Sequence, residues 1–481
     1  MACRVRVLPQ QLDMDARDGE NLLDLLRAAG LPVSAPCGGE GRCGKCRVSV
    51  DGHQIPACRV TVDRDMTVTL PEDTAQRILT DGEGWTPPAE IREGYLLAFD
   101  VGTTTVVGWL LEDGRELACA SASNPQAPFG ADVISRIRQG VRGQAEAMTA
   151  AIRDCLEDLT GQLCRGADIL PGQIGLVSIV GNPAMQQILL GLPLDNLAAV
   201  PFAPVLTEAK TVPAGKILPL LDQAELLIVP DIAGFVGADT VACVLAAGMD
   251  TAEETALLVD IGTNGEMVLG SRRRMAACSA AAGPALEGAG IRFGMRGQDG
   301  AIDHVKLEDG RLACTVIGGG KPAGICGSGL IDAVAAALDA GWLNERGKIL
   351  TEDGLIHLTD HIFLTQEDIR QVQLAKGAIA AGIELMASHL GIGLADVAAV
   401  YLAGAFGTYM DPHAACRIGL LPPVLEGKIR PMGNAAGNGA KWLACSPRGL
   451  DRARRIAGDT EALELAALPG FARCFAKNMR F

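Results

Sequence analysis

The chain has 481 residues, 48% of them hydrophobic, and 42 basic against 57 acidic residues give it a formal charge of −15. That is apolar material for several packed domains and excludes a disordered chain. No Lys/Arg block or basic aromatic stripe is present to neutralise a phosphate backbone, which excludes nucleic acid as a partner, and no apolar run reaches the roughly 18 residues of a membrane span. With no charged leader followed by an apolar core, the expected location is cytoplasmic.

The first segment reads as a small strand-rich fold with one helix. CRVRVL (3–8) and MTVTL (66–70) have strand patterns, GENLLDLLRAAG (19–30) is a short amphipathic helix, and KCRVSVDGHQ (45–54) is a strand entering an Asp-Gly turn. Between them lies APCGGEGRCGKCRVSV (35–50). Cys37, Cys43 and Cys46 form C-x5-C-x2-C in this run, and Cys58 follows in HQIPACRV. The spacing is close to that of plant-type [2Fe-2S] centres. Gly38, Gly39, Gly41 and Gly44 suit a loop that turns backbone amides toward sulfur and takes positive φ. Zinc would call for two CxxC pairs or added histidines, and the only nearby one is His53. Nine of the remaining cysteines, among them Cys243 and Cys278, sit singly among apolar or alanine-rich neighbours and read as core thiols, and Cys326 as a buried small residue. The segment resembles the β-grasp fold of [2Fe-2S] ferredoxins, with an x5 spacing more like the adrenodoxin branch. Those ferredoxins bring their fourth cysteine from farther along the chain than Cys58, so Cys3 is a weaker rival for the fourth ligand.

Residues 1–72 are therefore assigned to the ferredoxin-like domain and 73–94, rich in Pro, Gly and charge, to a linker. YLLAFDVGTTTVVGWLLEDG (95–114) then reads as strand, Asp100, turn and returning strand. TALLVDIGTNGEMVLGS (255–271) repeats that order around Asp260. Gly102 and Gly262 let amides close on phosphate oxygens; Thr103, Thr104, Thr105 and Thr263 offer hydroxyls, Asn264 and Gly265 complete the second turn, and Asp100 and Asp260 suit Mg2+ held through water. A buried strand, VAAVYLAGAFG (397–407), ends in a small-residue loop, Gly404, Ala405 and Gly407, that suits close approach to an adenosine. The order of these elements resembles the actin, sugar kinase and heat-shock chaperone superfamily. That resemblance implies two similar α/β lobes, a ribonuclease H-like repeat, with ATP and Mg2+ in the cleft; the lobes are assigned to 95–250 and 251–481.

Secondary candidates are Gly327, Ser328 and Gly329, where a helix N-terminus is either an anion site or a tight turn, and Glu287, either a water-positioning group or a structural carboxylate. Lys376 reads as coating a helix face. In ADVISRIRQG, Asp132 falls near a helix start and Arg136 and Arg138 are expected to be exposed.

An α+β β-grasp ferredoxin-like domain joined to an α/β two-lobed actin-like ATPase resembles the reductive activators of corrinoid proteins. CGGEGRCGKCRV, FDVGTTT, NPQAPFGADVISRI (124–137), VGNPAM (180–185), GFVGAD (234–239), VDIGTNGE, AAGPALEGAGI (281–291), GICGSGLID (324–332) and YLAGAFG carry the resemblance along nearly the whole chain. It implies ATP-dependent delivery of one electron from a [2Fe-2S] cluster to a Co(II) corrinoid protein, an upstream low-potential electron donor, and a homodimer among the expected assemblies. The chain is shorter than the larger members, so their separate middle domain is expected to be reduced or missing. An ATP-gated electron donor to a non-corrinoid enzyme, a redox-regulated small-molecule kinase and a nucleotide-gated binding protein stand as alternatives.

Overall fold

The computed structural model describes residues 2–29, 31, 33, 39, 41, 46–70, 85–130, 132–262 and 264–481. Cys37, Cys43 and Thr263 lie outside the described residues.

In the first domain a five-stranded sheet has the order Leu12–Arg17, Ala2–Leu8, Met66–Thr69, Arg47–Val50, His53–Pro56. Its first and last long strands run parallel, Val5 opposite Met66, and the outer hairpins are antiparallel. Asp51 and Gly52, with φ of 49° and 86°, make the two-residue turn that the Asp-Gly pair predicts. Asn21 caps the helix Leu22–Ala28 by accepting from the Leu23 amide, and Leu22, Leu23, Leu25 and Leu26 bury that helix on Val5, Val7, Val48 and Val68. This is the expected β-grasp.

The remainder holds two six-stranded sheets with the same core order. In the first, Arg115–Ser123, Thr105–Glu112, Tyr95–Val101, Ile174–Gly181 and Glu225–Ile228 lie side by side, with Lys210–Pro213 at the edge. In the second, Arg274–Ala280, Gly265–Ser271, Ala256–Ile261, Ala399–Ala403 and Ile429–Pro431 take the equivalent places, with Thr460–Ala462 outside the first of them. Third, second, first, fourth, fifth is thus the order in both. In each sheet the first three strands are an antiparallel meander and the next two join in parallel. The parallel additions need crossovers, and the helices Ala145–Gly166 and Gln366–Leu390 supply them. The two-lobed actin-like architecture follows from this repeat.

Between the sheets lies one shared apolar core. It contains Leu96, Ala98 and Trp109 of the first sheet, Leu258 and Val268 of the second, and the facing sides of the helices Ala238–Ala247 and Ala435–Cys445. Although it comes late in the chain, Ala435–Cys445 packs on Tyr95–Val101 and Ile174–Gly181 of the first lobe. Small residues make that seat: a Cβ on Gly439 would lie 2.1 Å from the Ala242 carbonyl oxygen, and one on Gly437 2.2 Å from the Trp109 ring.

Two surface expectations are corrected. Lys376 is 1% exposed; its ammonium donates to the Arg480 carbonyl and lies over the Phe481 ring, so it pins the C-terminal residues to Gln366–Leu390 and does not coat a helix face. Arg136 is likewise 1% exposed, whereas Arg138 is exposed as expected. An amphipathic pattern shows which side of a helix carries charge and not what later segment covers it.

Gly439→Ala should destabilise the ATPase part by about 1–3 kcal/mol through overpacking, seen as a lower Tm by calorimetry. Gly427→Ala, where an added methyl meets open space, should stay within about 0.5 kcal/mol of the parent. Equal effects of the two would contradict the close helix pair.

Candidate functional site: a carboxylate-lined cleft and a cysteine loop

The two repeated hairpins end side by side in the cleft. In the first, the Gly102 amide donates to the Thr105 carbonyl at 2.9 Å and closes the turn. The turn is braced from outside: Asn124 donates to the Gly102 carbonyl at 2.7 Å, Arg136 Nη2 to the Thr103 carbonyl at 2.5 Å, and Asn182 Nδ2 to Thr103 Oγ1 at 3.2 Å. Asp132 caps the helix that carries Arg136. The second hairpin is one residue tighter. Gly262 donates to the Asn264 carbonyl at 2.9 Å, and Ile261 faces Gly265 across the turn, where Val101 faces Val106 in the first. The tighter turn puts Glu266 directly opposite Asp260. Glu287 ends the turn Pro284–Glu287, and a Cβ on Gly262 would lie 3.9 Å from Glu287 Oε1, so this carboxylate stands beside the second hairpin.

The adenosine-loop candidate meets the same place. Gly404 has φ of 82°, and a Cβ there would lie 2.7 Å from Asp260 Oδ1; no other residue combines that backbone with that approach. The Gly404 amide donates to the Gly433 carbonyl at 3.0 Å, and the next residue, Asn434, donates from Nδ2 to Asp100 Oδ2 at 3.0 Å. The hairpin aspartates and the loop are therefore brought together. Gly407 instead packs on Leu402, and Gly329 on the Ile302 carbonyl, while the buried Ser328 hydroxyl donates to the Asp303 carbonyl at 2.9 Å. Gly327, Ser328 and Gly329 open the helix Gly327–Asp339, which packs beside Pro284–Glu287.

Acidic side chains line the cleft. Burial pushes the Asp100 carboxyl up to about 7; the Asn434 amide pulls it back, and the charges of Asp239 and Asp260 push it up again. Asp260 is raised to about 7 by burial and by Asp239. Asp239, at the start of Ala238–Ala247, is raised to about 6 by burial, and Glu266 is raised well above the usual range, first by burial and then by Asp239 and Asp260. Carboxylates that disfavour one another's charge fit a cation that relieves them. No group of three His, Cys, Asp or Glu side chains able to hold a metal ion occurs among the described residues. A cation here would draw most of its ligands from water and phosphate, as Mg2+ does.

In the first domain Cys46 is buried, and the Cys58 amide points at its Sγ across 3.5 Å. Gly39 (φ 97°) lies against Cys58, its notional Cβ 4.0 Å from the Cys58 Cβ, and Arg59 donates to the Gly41 carbonyl at 2.5 Å. Two loop glycines thus close on the segment that carries Cys58. Cys3 sits in strand Ala2–Leu8 opposite Ala16, within the apolar core. An amide aimed at sulfur and glycines at positive φ fit an iron-sulfur cluster.

Family models match the chain in three consecutive parts: a 2Fe-2S iron-sulfur cluster binding domain at residues 5–77, the RACo middle region at 95–252, and the C-terminal domain of RACo, the ASKHA domain, at 254–481. A relative from Eubacterium limosum, corrinoid activation enzyme RamQ, is 30% identical and aligns over 98% of this chain and 97% of its own. The chain belongs to the RACo family. A Methanosarcina barkeri protein named [Co(II) methylated amine-specific corrinoid protein] reductase is 31% identical over 60% of this chain and 59% of its own. The solved structure of a reductive activator for corrinoid, iron-sulfur protein has a TM-score of 0.72 at 26% identity and covers 100% of this chain and 98% of that one. The RACo middle region is represented here by the first sheet and its helices. Because the alignment with the Eubacterium relative runs over 579 positions, longer than this chain, that relative contains segments with no counterpart here.

Sequence reasoning missed Asn434, Asp239 and Glu266 as contributors to the cleft. Asp239 and Asn182 lay inside quoted motifs without an assigned role, and only the fold brings Asn434, 334 positions on, to Asp100.

The cysteine contacts predict that Cys58→Ser loses the [2Fe-2S] visible and EPR spectra, whereas Cys3→Ser keeps them in anaerobically purified protein. The reverse pattern would move the fourth ligand to Cys3.

Proposed function

We propose that this chain is an ATP-dependent reductive activator that passes one electron to a corrinoid protein in its inactive Co(II) state and restores the methyl-accepting Co(I) state. The observation that carries this reading is the joining, in one polypeptide, of a cluster-type β-grasp domain and a double-hairpin nucleotide cleft, in the order shared end to end with a corrinoid activation enzyme.

The problem such a protein solves is energetic. Plant-type [2Fe-2S] centres lie near about −400 mV, and for a one-electron couple each ~59 mV of shortfall costs a factor of ten in equilibrium constant. Nucleotide helps only if it favours a state in which the partner's cobalt is easier to reduce or the product is released. Two lobes meeting at Asp100 and Asp260 supply such a bistable element.

In this reading Cys37, Cys43, Cys46 and Cys58 hold the cluster, which supplies a one-electron reductant fed by a low-potential donor. The turn amides at Gly102 and Gly262, with Thr103 to Thr105 and Thr263, bind phosphate oxygens; Asn124, Arg136 and Asn182 keep the first turn in shape for them. Asp100, Asp239 and Asp260 orient the water shell of Mg2+, and Asn434 fixes which face Asp100 presents. Glu287, whose carboxylate stands beside Gly262, orients the attacking water in this reading. Gly404 leaves room for the adenosine without displacing Asp260.

With a corrinoid protein from a neighbouring methyltransferase system and a chemical reductant, MgATP should accelerate Co(I) formation at least tenfold. Asp260→Ala should abolish the ATP effect while the cluster spectrum stays intact, and Cys46→Ser should abolish reduction. A cobalt centre that stays Co(II) with every such partner, despite an intact cluster and ATP turnover, would redirect the reading to an ATP-gated donor for another enzyme.

A further inference from the structure

Residues 85–94 fall in the segment that composition assigns to a featureless linker, yet they are held to the ATPase part at several points. Lys441, 2% exposed, has its ammonium 4.8 Å from the Trp85 ring centroid and 5.3 Å from that of Trp109, and pairs with Glu116 at 3.0 Å. The Arg92 amide donates to the Cys445 carbonyl at 2.7 Å, and the Gly94 amide to Asp113 Oδ1 at 3.0 Å. Ile91 and Pro87 cover Gly114 so closely that a Cβ there would lie 3.0 and 3.1 Å from them. An exposed Glu90–Arg448 pair at 3.3 Å adds little to a desolvated ammonium held between two indoles.

What this strap grips is the helix Ala435–Cys445, whose other end is the nucleotide site. Asn434 caps that end, Oδ1 accepting from the Gly437 amide at 2.6 Å while Nδ2 donates to Asp100. Eleven residues of α-helix form a rod of about 16 Å. Gly437 against Trp109 and Gly439 against Ala242 seat the rod without slack, and its partner helix Ala238–Ala247 carries Asp239 in its first turn. A shift of Asp100 is thus passed to the end that carries Lys441 and Cys445, because close-packed elements move as units. The strap lies in sequence between the last strand of the cluster domain, Met66–Thr69, and the first ATPase strand, Tyr95–Val101.

We propose that the strap of residues 85–94, clamped by Lys441 between Trp85 and Trp109, is the positioning element through which nucleotide occupancy at Asp100 sets where the [2Fe-2S] domain is held. This rests on the activator reading for its purpose, though not for its geometry. Trp85 and Lys441 are positioning residues that act through the helix Ala435–Cys445.

The test is a pulsed EPR distance in the full-length reduced protein, between the cluster and a nitroxide carried by an unnatural amino acid at exposed Arg455. With the parent sequence, a non-hydrolysable ATP analogue with Mg2+ should shift the distance maximum relative to MgADP. Trp85→Ala and Lys441→Met should each broaden the distribution and remove that shift, with nucleotide affinity within about twofold of the parent and the cluster spectrum unchanged. Trp85→Ala leaves the Lys441–Glu116 pair in place and guards against a folding artefact of Lys441→Met. A shift that survives in both variants, or no shift in the parent, overturns the strap. Failure of the activator reading would be seen separately, as absent Co(I) formation in a protein whose distance still responds to nucleotide.

Discussion

The ATPase part is built around one electrostatic constraint: carboxyls from two hairpins and a helix share a cleft in which burial and mutual repulsion disfavour their charged forms. Asp100 and Asp260 are each pushed up to about 7, chiefly by burial, and Asp239 feeds negative charge to both. A fold that keeps such groups together loses stability as pH rises from the unfolded carboxylate value toward 7, because the unfolded chain releases the protons more readily. In the proposed function a Mg2+–nucleotide bound there reverses that cost, so the cleft favours its ligand for the reason that it disfavours itself. The braces around the first turn and the missing side chain at Gly404 keep the geometry open meanwhile.

The second consequence is mechanical. The carboxylate on the first hairpin is hydrogen-bonded to the cap of a helix that belongs in sequence to the far end of the chain and in space to both lobes. In the proposed strap mechanism, occupancy of the cleft is reported along this helix toward the residues 85–94 that follow the cluster domain in sequence. Electron delivery uphill requires that the donor be presented only in the productive state. A tether clamped to the inter-lobe helix makes presentation depend on the nucleotide, with no further moving part.

Much of this was legible in the sequence, for physical reasons. The β-grasp could be read because strands, helix and the Asp-Gly turn carry local signals, and the cysteine spacing points to one kind of cofactor. The two hairpins could be read because the same strand, Asp, Gly, Thr order occurs twice. What escaped were long-range partners: Asn434 meets Asp100 only after the second sheet is complete, Glu266 faces Asp260 only because the second turn is one residue tighter, and Arg136 and Lys376 are covered by segments that no local pattern announces. Likewise the strap's proline- and charge-rich composition says nothing of a lysine at position 441 waiting between two indoles.

The central claim, that binding of a Mg2+–nucleotide makes protonated carboxyls in the cleft release their protons to solvent, is tested most directly by infrared difference spectroscopy of MgADP binding at pH 6.5. The account predicts loss of protonated-carboxyl C=O absorption with matching gain of carboxylate bands, reduced in Asp260→Asn and smaller at pH 8.5, above the value of about 7 to which Asp100 and Asp260 are raised. Tight MgADP binding at pH 6.5 with no protonated-carboxyl band lost would contradict it.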